Sequence, residues 1–225
     1  MKIGVFGDSY ASVVNNNDKS WITLLKNKGM SIDVYGKPGT SMWYSYDLFF
    51  KHHYKYDTIV FCYTDNNRIP VMPEGLETRA CIRKPTKSEQ QRAIEEEEKL
   101  LSRIYQIYPL ISSGSFSTYI SQKIFNDVNE ICSKNNTKLV NILPFEIISN
   151  PSINLVNSHG DCYTDIIKVT LKEEEYWNAT DNDDNRFCHL SEFNNGVLAD
   201  LVEESLNRNT KLIINAFKLP NFKYD

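Results

Sequence analysis

The stretch IGVFGDSY, residues 3–10, decides how this chain is expected to fold. It opens with a short apolar run of the kind found in strands that are buried in a parallel sheet. Gly7, Asp8 and Ser9 end that run with residues that favour turns. Ligands of open α/β sheets bind outside the carboxyl ends of the strands. We therefore expect Ser9 at the ligand-binding edge of a sheet.

Further apolar runs predict a sheet around this first strand. Besides Lys2–Phe6, the predicted strands cover residues 32–35, 58–63 and 138–143. The predicted helices cover residues 20–28, 44–54, 88–108 and 117–134, and a last helix begins near Ser191. Strands that alternate with helices favour an α/β fold whose parallel sheet is covered on both faces. Right-handed crossovers bring the carboxyl ends of all these strands to one edge.

Three of the helices carry predictions about individual positions. Gly29 is expected to end the helix 20–28. Ser117 is the expected N-cap of the helix 117–134, because a serine side chain can accept a hydrogen bond from the first turn. In the last helix the apolar side chains are expected to face the core, namely Phe193, Val197, Leu198, Leu201 and Val202.

The length of 225 residues suits one domain with a single core, residues 1–225. Two polar segments, 68–87 and 150–184, show no regular period, and we expect irregular excursions there that shape access to the ligand-binding edge. The second segment contains residues 165–171, whose sequence pattern is typical of a short strand. Residues 212–225 are expected to form a short tail.

Charge and composition exclude several classes of function. The formal net charge is −4 with both signs interspersed, so the basic stripe of a nucleic-acid-binding protein is absent from the sequence. No apolar run approaches the ~20 residues that cross a bilayer, and we expect no membrane partner. The first strand begins at Lys2, which leaves no room for a signal peptide, and the 5 cysteines are widely spaced, as in proteins with reduced thiols. These features predict a cytoplasmic protein, or a virion component if the chain is viral.

Ser9 is the candidate nucleophile, and a serine hydroxyl becomes reactive only when a base takes its proton. His189 is the best candidate base, because it directly precedes the last predicted helix and its loop is expected at the same sheet edge as Ser9. His159 is the fallback. His52 and His53 end a helix just before a strand, so they are expected at the opposite edge.

A seryl mechanism also needs hydrogen-bond donors for the negatively charged oxygen of its intermediate. The candidates are the backbone N–H groups of Ser9 and Gly39 and the side-chain amide of Asn66, and each residue follows a predicted strand. A glycine such as Gly39 lets the backbone approach a ligand closely. A purely structural interpretation stays open beside this one, because Asp8 and Ser9 suit a helix N-cap and Gly39 beside Pro38 suits a turn.

These residues occur in an order that resembles the SGNH (GDSL-type) hydrolase superfamily, in a divergent form of phage or viral type. The matching blocks are Gly7-Asp8-Ser9-Tyr10, Gly39, Thr64-Asp65-Asn66-Asn67 and Cys188-His189-Leu190-Ser191. Tyr10 stands where Leu is usual, and Thr64 and Asn67 replace Gly and Asp. The resemblance implies a flavodoxin-like, three-layer α/β/α sandwich with a central parallel sheet. It also implies a serine esterase that acts on small acyl esters, such as carbohydrate O-acetyl groups.

The resemblance assigns roles within this set. Ser9 is the nucleophile and the first oxyanion donor, Gly39 and Asn66 are the other donors, and His189 is the base. The family pattern Asp-x-x-His requires Asp at position 186, where this chain has Arg186.

The third member of the triad therefore has several candidates. We place Asp184 in this role, with Asp183 as the alternative, and a backbone carbonyl in that place would leave a Ser–His dyad. Asp8, Tyr10 and Arg186 are the candidate substrate-binding residues. Arg68 is interpreted either as a loop charge or as a contact that holds the turn at 64–67.

The expected partner is a small-molecule or glycan ester, with no cofactor and no metal. The acidic run 181–184 lacks the glycine and the closing glutamate of an EF-hand loop. The missing Asp at position 186 keeps a second function open, a catalytically degenerate SGNH-fold module for glycan binding or viral attachment. A flavin- or nucleotide-binding domain is disfavoured, because the first loop lacks the Gly-x-Gly-x-x-Gly pattern that cradles phosphates.

Overall fold

The computed structural model describes residues 1–13, 19–64, 68, 114–143, 160–163 and 190–207. Its strands are β1 (Lys2–Phe6), β2 (Ser31–Val34), β3 (Thr58–Cys62), β4 (Lys138–Ile142) and β5 (Gly160–Tyr163). Its helices are α1 (Trp21–Asn27), α2 (Met42–His52), α3 (Gly114–Lys134) and α4 (Glu192–Asn207). Short 3₁₀ turns cover Ser9–Ala11 and His53–Lys55.

The strands form one 5-stranded sheet in the order β2-β1-β3-β4-β5, and every described pairing is parallel. The register pairs Val5 of β1 with Val34 of β2 and with Val60 of β3. The prediction of an α/β fold with a parallel sheet is confirmed. Each of the predicted strands in β1–β4 agrees with the structure to within a residue at either end.

The sequence did not predict β5, which lies inside the segment 150–184. Its sequence, GDCY, has no apolar run, and among the described strands it pairs only with β4. A strand at this position is defined by backbone hydrogen bonds to its neighbour, which leave no periodic signal in the sequence. The predicted strand 165–171 lies outside the described residues.

Apolar side chains cover both faces of the sheet. All residues of β3 are buried, with Val60 and Cys62 in one core cluster and Ile59 and Phe61 in the other. α1 and α4 contribute Trp21, Ile22, Leu25, Leu198 and Val202 to the first cluster. α2 and α3 contribute Met42, Phe49, Ile124, Phe125 and Val128 to the second. A strand buried on both faces explains the continuous apolar runs on which the strand predictions depended.

α1 shows how local sequence sets the bounds of a helix. The Ser20 side chain accepts a hydrogen bond from the backbone N–H of Thr23, which caps the first turn. At the other end Gly29 has a φ of +87°, and the N–H groups of Gly29 and Met30 donate to the carbonyls of Lys26 and Leu25. This is the Schellman arrangement, so the predicted end at Gly29 is confirmed.

Two predictions about helix positions were wrong. α3 begins at Gly114, so Ser117 lies inside the helix and is not its N-cap; serines also occupy positions 112, 113 and 115, and the sequence does not show which of them precedes the first turn. In α4, Phe193 is 45% exposed, and the inward positions near the helix start hold Asn194 and Asn195. Leu198 and Val202 are buried as predicted.

α3 is an amphipathic helix that connects β3 to β4 by way of residues outside the described ranges. Ile124 and Val128 are buried, and Lys134 pairs with Glu130 at 2.5 Å on the exposed side. No helix within the described ranges is both long and apolar enough to cross a membrane. The predicted helix 88–108 lies outside those ranges.

The chain order creates a topological switch point between β1 and β3. From β1 the chain passes to β2 on one side and then to β3 on the other. Loops that leave β1 and β3 therefore diverge to opposite sides, and ligands of open α/β sheets bind in the space between them. Ser9 follows β1, and Thr64 follows β3.

Candidate functional site

Ser9 lies in a tight turn directly after β1. Asp8 caps this 3₁₀ turn, since its Oδ1 accepts a hydrogen bond from the backbone N–H of Tyr10 at 3.0 Å. Only a glycine fits at position 7, because a Cβ there would lie 2.6 Å from the Cβ of Cys62 and 2.7 Å from the Cβ of Ala11. The turn therefore folds back against β3, and Ser9 is 7% exposed within it.

The Asp8 carboxylate joins this turn to the loop after β3. Its Oδ2 accepts hydrogen bonds from the Thr64 hydroxyl at 2.6 Å and from the Arg68 guanidinium at 2.7 Å. The Asp8 side chain is 0% exposed, and that of Arg68 is 22% exposed. We call Asp8 and its partners Tyr10, Thr64 and Arg68 the Asp8 cluster. It pairs a buried charge with a cation and further donors, as burial of a carboxylate requires.

The loop after β2 contacts the Asp8 cluster. Arg68 lies 3.5 Å from the carbonyl oxygen of Thr40, and the Thr40 hydroxyl donates to the carbonyl of Lys37 at 2.7 Å. A Cβ at Gly36 would lie 2.0 Å from the carbonyl oxygen of Ala11. Only a glycine allows this loop to lie directly on the turn that carries Ser9.

Gly39 occupies the tip of that loop. The sequence Lys37-Pro38-Gly39-Thr40 suits a type II turn, with proline in its second place and glycine in its third. The φ of Gly39 is +76°, the left-handed region that this turn requires. Among the described residues, no heavy atom lies within 4 Å of the place a Cβ would take at Gly39.

The start of α4 lies on the face of the sheet opposite to α2. Ser191 is its N-cap, because the Ser191 hydroxyl accepts from the backbone N–H of Asn194 at 3.2 Å. Leu190 is buried in the same core cluster as Tyr10 and Trp21. The last predicted helix therefore begins where the sequence placed it, and its first residues adjoin the elements around Ser9.

Several predicted site residues lie outside the described residues. They are Asn66, Asp183, Asp184, Arg186, His189 and the fallback His159. Their nearest described neighbours in the sequence are Thr64 and Arg68 for Asn66, and Leu190 for His189.

Two residues predicted to bind substrate are engaged within the protein. Asp8 is fully buried with both carboxylate oxygens accepting hydrogen bonds, and Tyr10 is 5% exposed within a core cluster. These positions favour a role in holding the turn over a direct contact with a ligand. The structural interpretation of Asp8 as an N-cap is confirmed. Of the two interpretations of Arg68, a holding contact agrees with the structure, and its partner is Asp8.

His52 and His53 lie in and just after the last turn of α2, before β3, as expected. The His52 ring stacks on Tyr35 at 4.9 Å, and burial together with Lys55 and Lys51 lowers the pKa of His52. His53 Nδ1 lies 3.2 Å from the carbonyl oxygen of Phe49. The His52 ring thus contacts the residue after β2, and the His53 ring contacts the last turns of α2.

Cys62 packs against Gly7, the residue before Asp8, and its thiol is unsuited to chemistry. Burial and the Asp8 carboxylate raise the pKa of the Cys62 thiol well above its ordinary value. The thiol therefore stays protonated, and a protonated thiol is a weak nucleophile. Of the cysteines in the described ranges, Cys62 and Cys132 are free and buried.

Sequence reasoning missed Gly36 and Asn195. Only Tyr35 separates Gly36 from the end of β2. A glycine at the end of a strand indicates that another segment of backbone lies close to it. Asn195 could have been found from a different signal. It places an amide at a helix position where the apolar pattern of α4 requires a core side chain, and a buried amide needs hydrogen-bond partners.

No protein-family model, no curated protein and no solved structure matches this chain. The described part of the chain offers a serine in a tight turn at the carboxyl edge of the sheet, a loop with a glycine at its tip, and an Arg68–Asp8 ion pair that links the two. A serine at this edge is suited to acyl transfer once hydrogen-bond donors and a base are supplied.

Proposed function

We propose that this protein is a serine ester hydrolase of the SGNH type, built as a flavodoxin-like three-layer α/β/α sandwich. The order β2-β1-β3-β4-β5 supports this fold, because flavodoxin-like sheets have that order and bind ligands at the switch point between β1 and β3. The observation that carries the proposal is the Asp8 cluster, which joins the turn of Ser9 to Thr64 and Arg68 across that switch point.

In the proposed reaction the Ser9 Oγ attacks the carbonyl carbon of the ester, and its proton passes to His189. The carbonyl oxygen becomes an oxyanion, which accepts hydrogen bonds from the N–H groups of Ser9 and Gly39 and from the Asn66 amide. Collapse of this intermediate breaks the bond to the alcohol, which leaves with the proton from His189. Water then attacks the seryl ester in the same way, which releases the acid and restores Ser9.

The contacts of Thr64 and Arg68 support the role of Asn66. Both residues donate to one oxygen atom of Asp8, and only positions 65–67 separate them in the sequence. We therefore propose Asn66 as the third donor on the ground of its place in the sequence between these two residues. The place of His189 in the sequence supports its role in the same way. It directly precedes Leu190, whose side chain is buried in the cluster that holds Tyr10.

The substrate we propose is a small acyl ester such as an O-acetylated carbohydrate. Trp43 lies in the first turn of α2, directly after the loop that carries Gly39, and is 37% exposed. An exposed aromatic ring beside the donors of an oxyanion is suited to a ligand with an apolar face, as a sugar ring has. Arg186 would bind an acidic group of the substrate, and Asp184, or Asp183, would orient His189.

Release of acetate from an activated acetyl ester tests the proposal. We expect Ser9→Ala and His189→Ala each to lower kcat by about 10⁴-fold or more, as for other members of a seryl triad. Ser45→Ala is the matched control, since it removes a buried hydroxyl from α2 without touching the site. Hydrolysis by Ser9→Ala at the rate of the wild type would overturn the proposal. If the folded wild-type protein hydrolyses no ester but binds glycans, it is instead the catalytically degenerate binding module. The absence of Asp at position 186 favours that function.

A further inference from the structure

A buried amide in α4 connects the start of that helix to α1. Asn195 is 5% exposed. Its Nδ2 donates to the carbonyl oxygens of Leu190 at 2.9 Å and Ser191 at 3.0 Å, and its Oδ1 accepts from the backbone N–H of Trp21 at 3.1 Å. The N–H of Trp21 begins α1 and has no acceptor within its own helix, so Asn195 supplies one. The side chain therefore holds the ends of two helices together.

Trp21 extends the connection to the turn of Ser9. Its indole Nε1 donates to the carbonyl oxygen of Tyr10 at 2.8 Å, and its side chain is 2% exposed. Leu190 follows His189 in the sequence, and Tyr10 follows Ser9. A continuous path of hydrogen bonds thus joins the residue after the candidate base to the residue after the candidate nucleophile.

We propose that Asn195 is a positioning residue that holds the backbone at Leu190 and Ser191, directly after His189 in the sequence, relative to the turn of Ser9. This inference rests on the proposed function, in which His189 takes the proton of Ser9. Apolar packing does not require an amide here, because α1 and α4 already bury Leu25, Leu198 and Val202 in one cluster. The amide instead fixes the backbone at Leu190 and Ser191, and rigid backbone support is what holds a catalytic group in a productive geometry.

The inference is tested with Asn195→Leu, which removes the three hydrogen bonds of the amide and leaves the bond from the Trp21 indole to Tyr10, and with Asn195→Asp. The aspartate keeps an acceptor for Trp21 but turns a carboxylate oxygen toward the carbonyls of Leu190 and Ser191, so it disrupts that end of the connection if the leucine variant does not fold. Leu198→Ala is the matched control, because it weakens the packing of the same cluster without touching the amide. Each protein is treated with a fluorophosphonate below its unfolding temperature, and kinact and KI are measured separately.

We expect kinact to fall by about 100-fold in both Asn195 variants, since a small misplacement of a catalytic group has an effect of this size. KI should stay unchanged, and Leu198→Ala should keep the kinact of the wild type. Equal kinact values for Asn195→Leu, Asn195→Asp and Leu198→Ala would overturn the inference and leave the proposed function intact. A wild-type protein that does not react with the probe would overturn both.

Discussion

Arg68 and Asp8 are 60 residues apart in the sequence and form an ion pair of 2.7 Å at the carboxyl edge of the sheet. Asp8 precedes the turn of Ser9, and Arg68 lies beyond β3 within reach of Thr40, which follows β2. One guanidinium thus holds together the loops that follow β1, β2 and β3. Because the pair is largely shielded from water, its loss leaves a buried charge without compensation.

Removal of the cation alone should therefore strongly destabilise the protein. We expect Arg68→Met to lower the free energy of unfolding by about 3–5 kcal/mol, the range for a buried pair that loses one partner. The double variant Arg68→Met/Asp8→Asn should recover part of the loss, because it leaves no unpaired charge. Urea unfolding measures both values. Lys51→Met is the control, since its pair with Asp47 is exposed and should contribute less than about 0.5 kcal/mol. Equal losses for Arg68→Met and Lys51→Met would show that the ion pair is not buried as described.

Glycine substitutions separate crowded from open positions. Gly36→Ala should lower the free energy of unfolding by about 3 kcal/mol, because its Cβ would meet the backbone of Ala11, which cannot rotate away. Gly196→Ala should raise it by about 0.5–1 kcal/mol, since Gly196 lies inside α4 and no atom of the described residues crowds the place of its Cβ. Thermal unfolding of the two variants measures the contrast. If Gly36→Ala were as stable as the wild type, the loop after β2 would not lie on the turn of Ser9.

Ser45 offers a gain in stability. Its hydroxyl is buried in α2 and has no hydrogen-bond partner within the described part of the chain. An unpaired buried hydroxyl costs about 1–3 kcal/mol, so Ser45→Ala should raise the free energy of unfolding by about 1 kcal/mol. Urea unfolding checks the value, and a clear loss of stability would mean that the hydroxyl has a partner in solution.

Buried thiols predict a loss of stability at alkaline pH. Burial raises the pKa of the Cys132 thiol from 9.0 to about 12. Below pH 9 the folded and unfolded chains both keep this proton; above it only the unfolded chain loses it, so unfolding becomes easier as pH rises. We expect up to about 1.4 kcal/mol of lost stability per pH unit from this group between about pH 9 and 12. Cys132→Ala should show a correspondingly shallower decline in urea unfolding. The same slope in both proteins would contradict the assignment.

Most of the sheet was predictable because its central strands are buried on both faces. β3 is buried at all of its positions and is apolar at all but Thr58, and such a run is visible in the sequence. β5 lacked such a run and was missed. Helix ends differed in the same way: Gly29 has a specific capping geometry and was located, whereas the start of α3 lay among several equivalent serines.

The candidate site was predictable in outline and not in its contacts. Strand ends identified the turn of Ser9 and the loop of Gly39, because parallel strands bring their carboxyl ends to one edge. The pairing of Asp8 with Arg68 depends on how two loops meet in space, which no local pattern records. Asn195 was missed for a related reason: at its position the hydrogen bonds to Leu190 and Trp21 outweigh the apolar pattern of its helix.

The most direct measurement is the site of covalent modification by a fluorophosphonate, read by mass spectrometry of the digested protein. The account predicts one adduct, on the peptide that contains Ser9, with no adduct in Ser9→Ala and an unchanged adduct in Ser45→Ala. An adduct on a different serine, or equal modification of the wild type and Ser9→Ala, would contradict it.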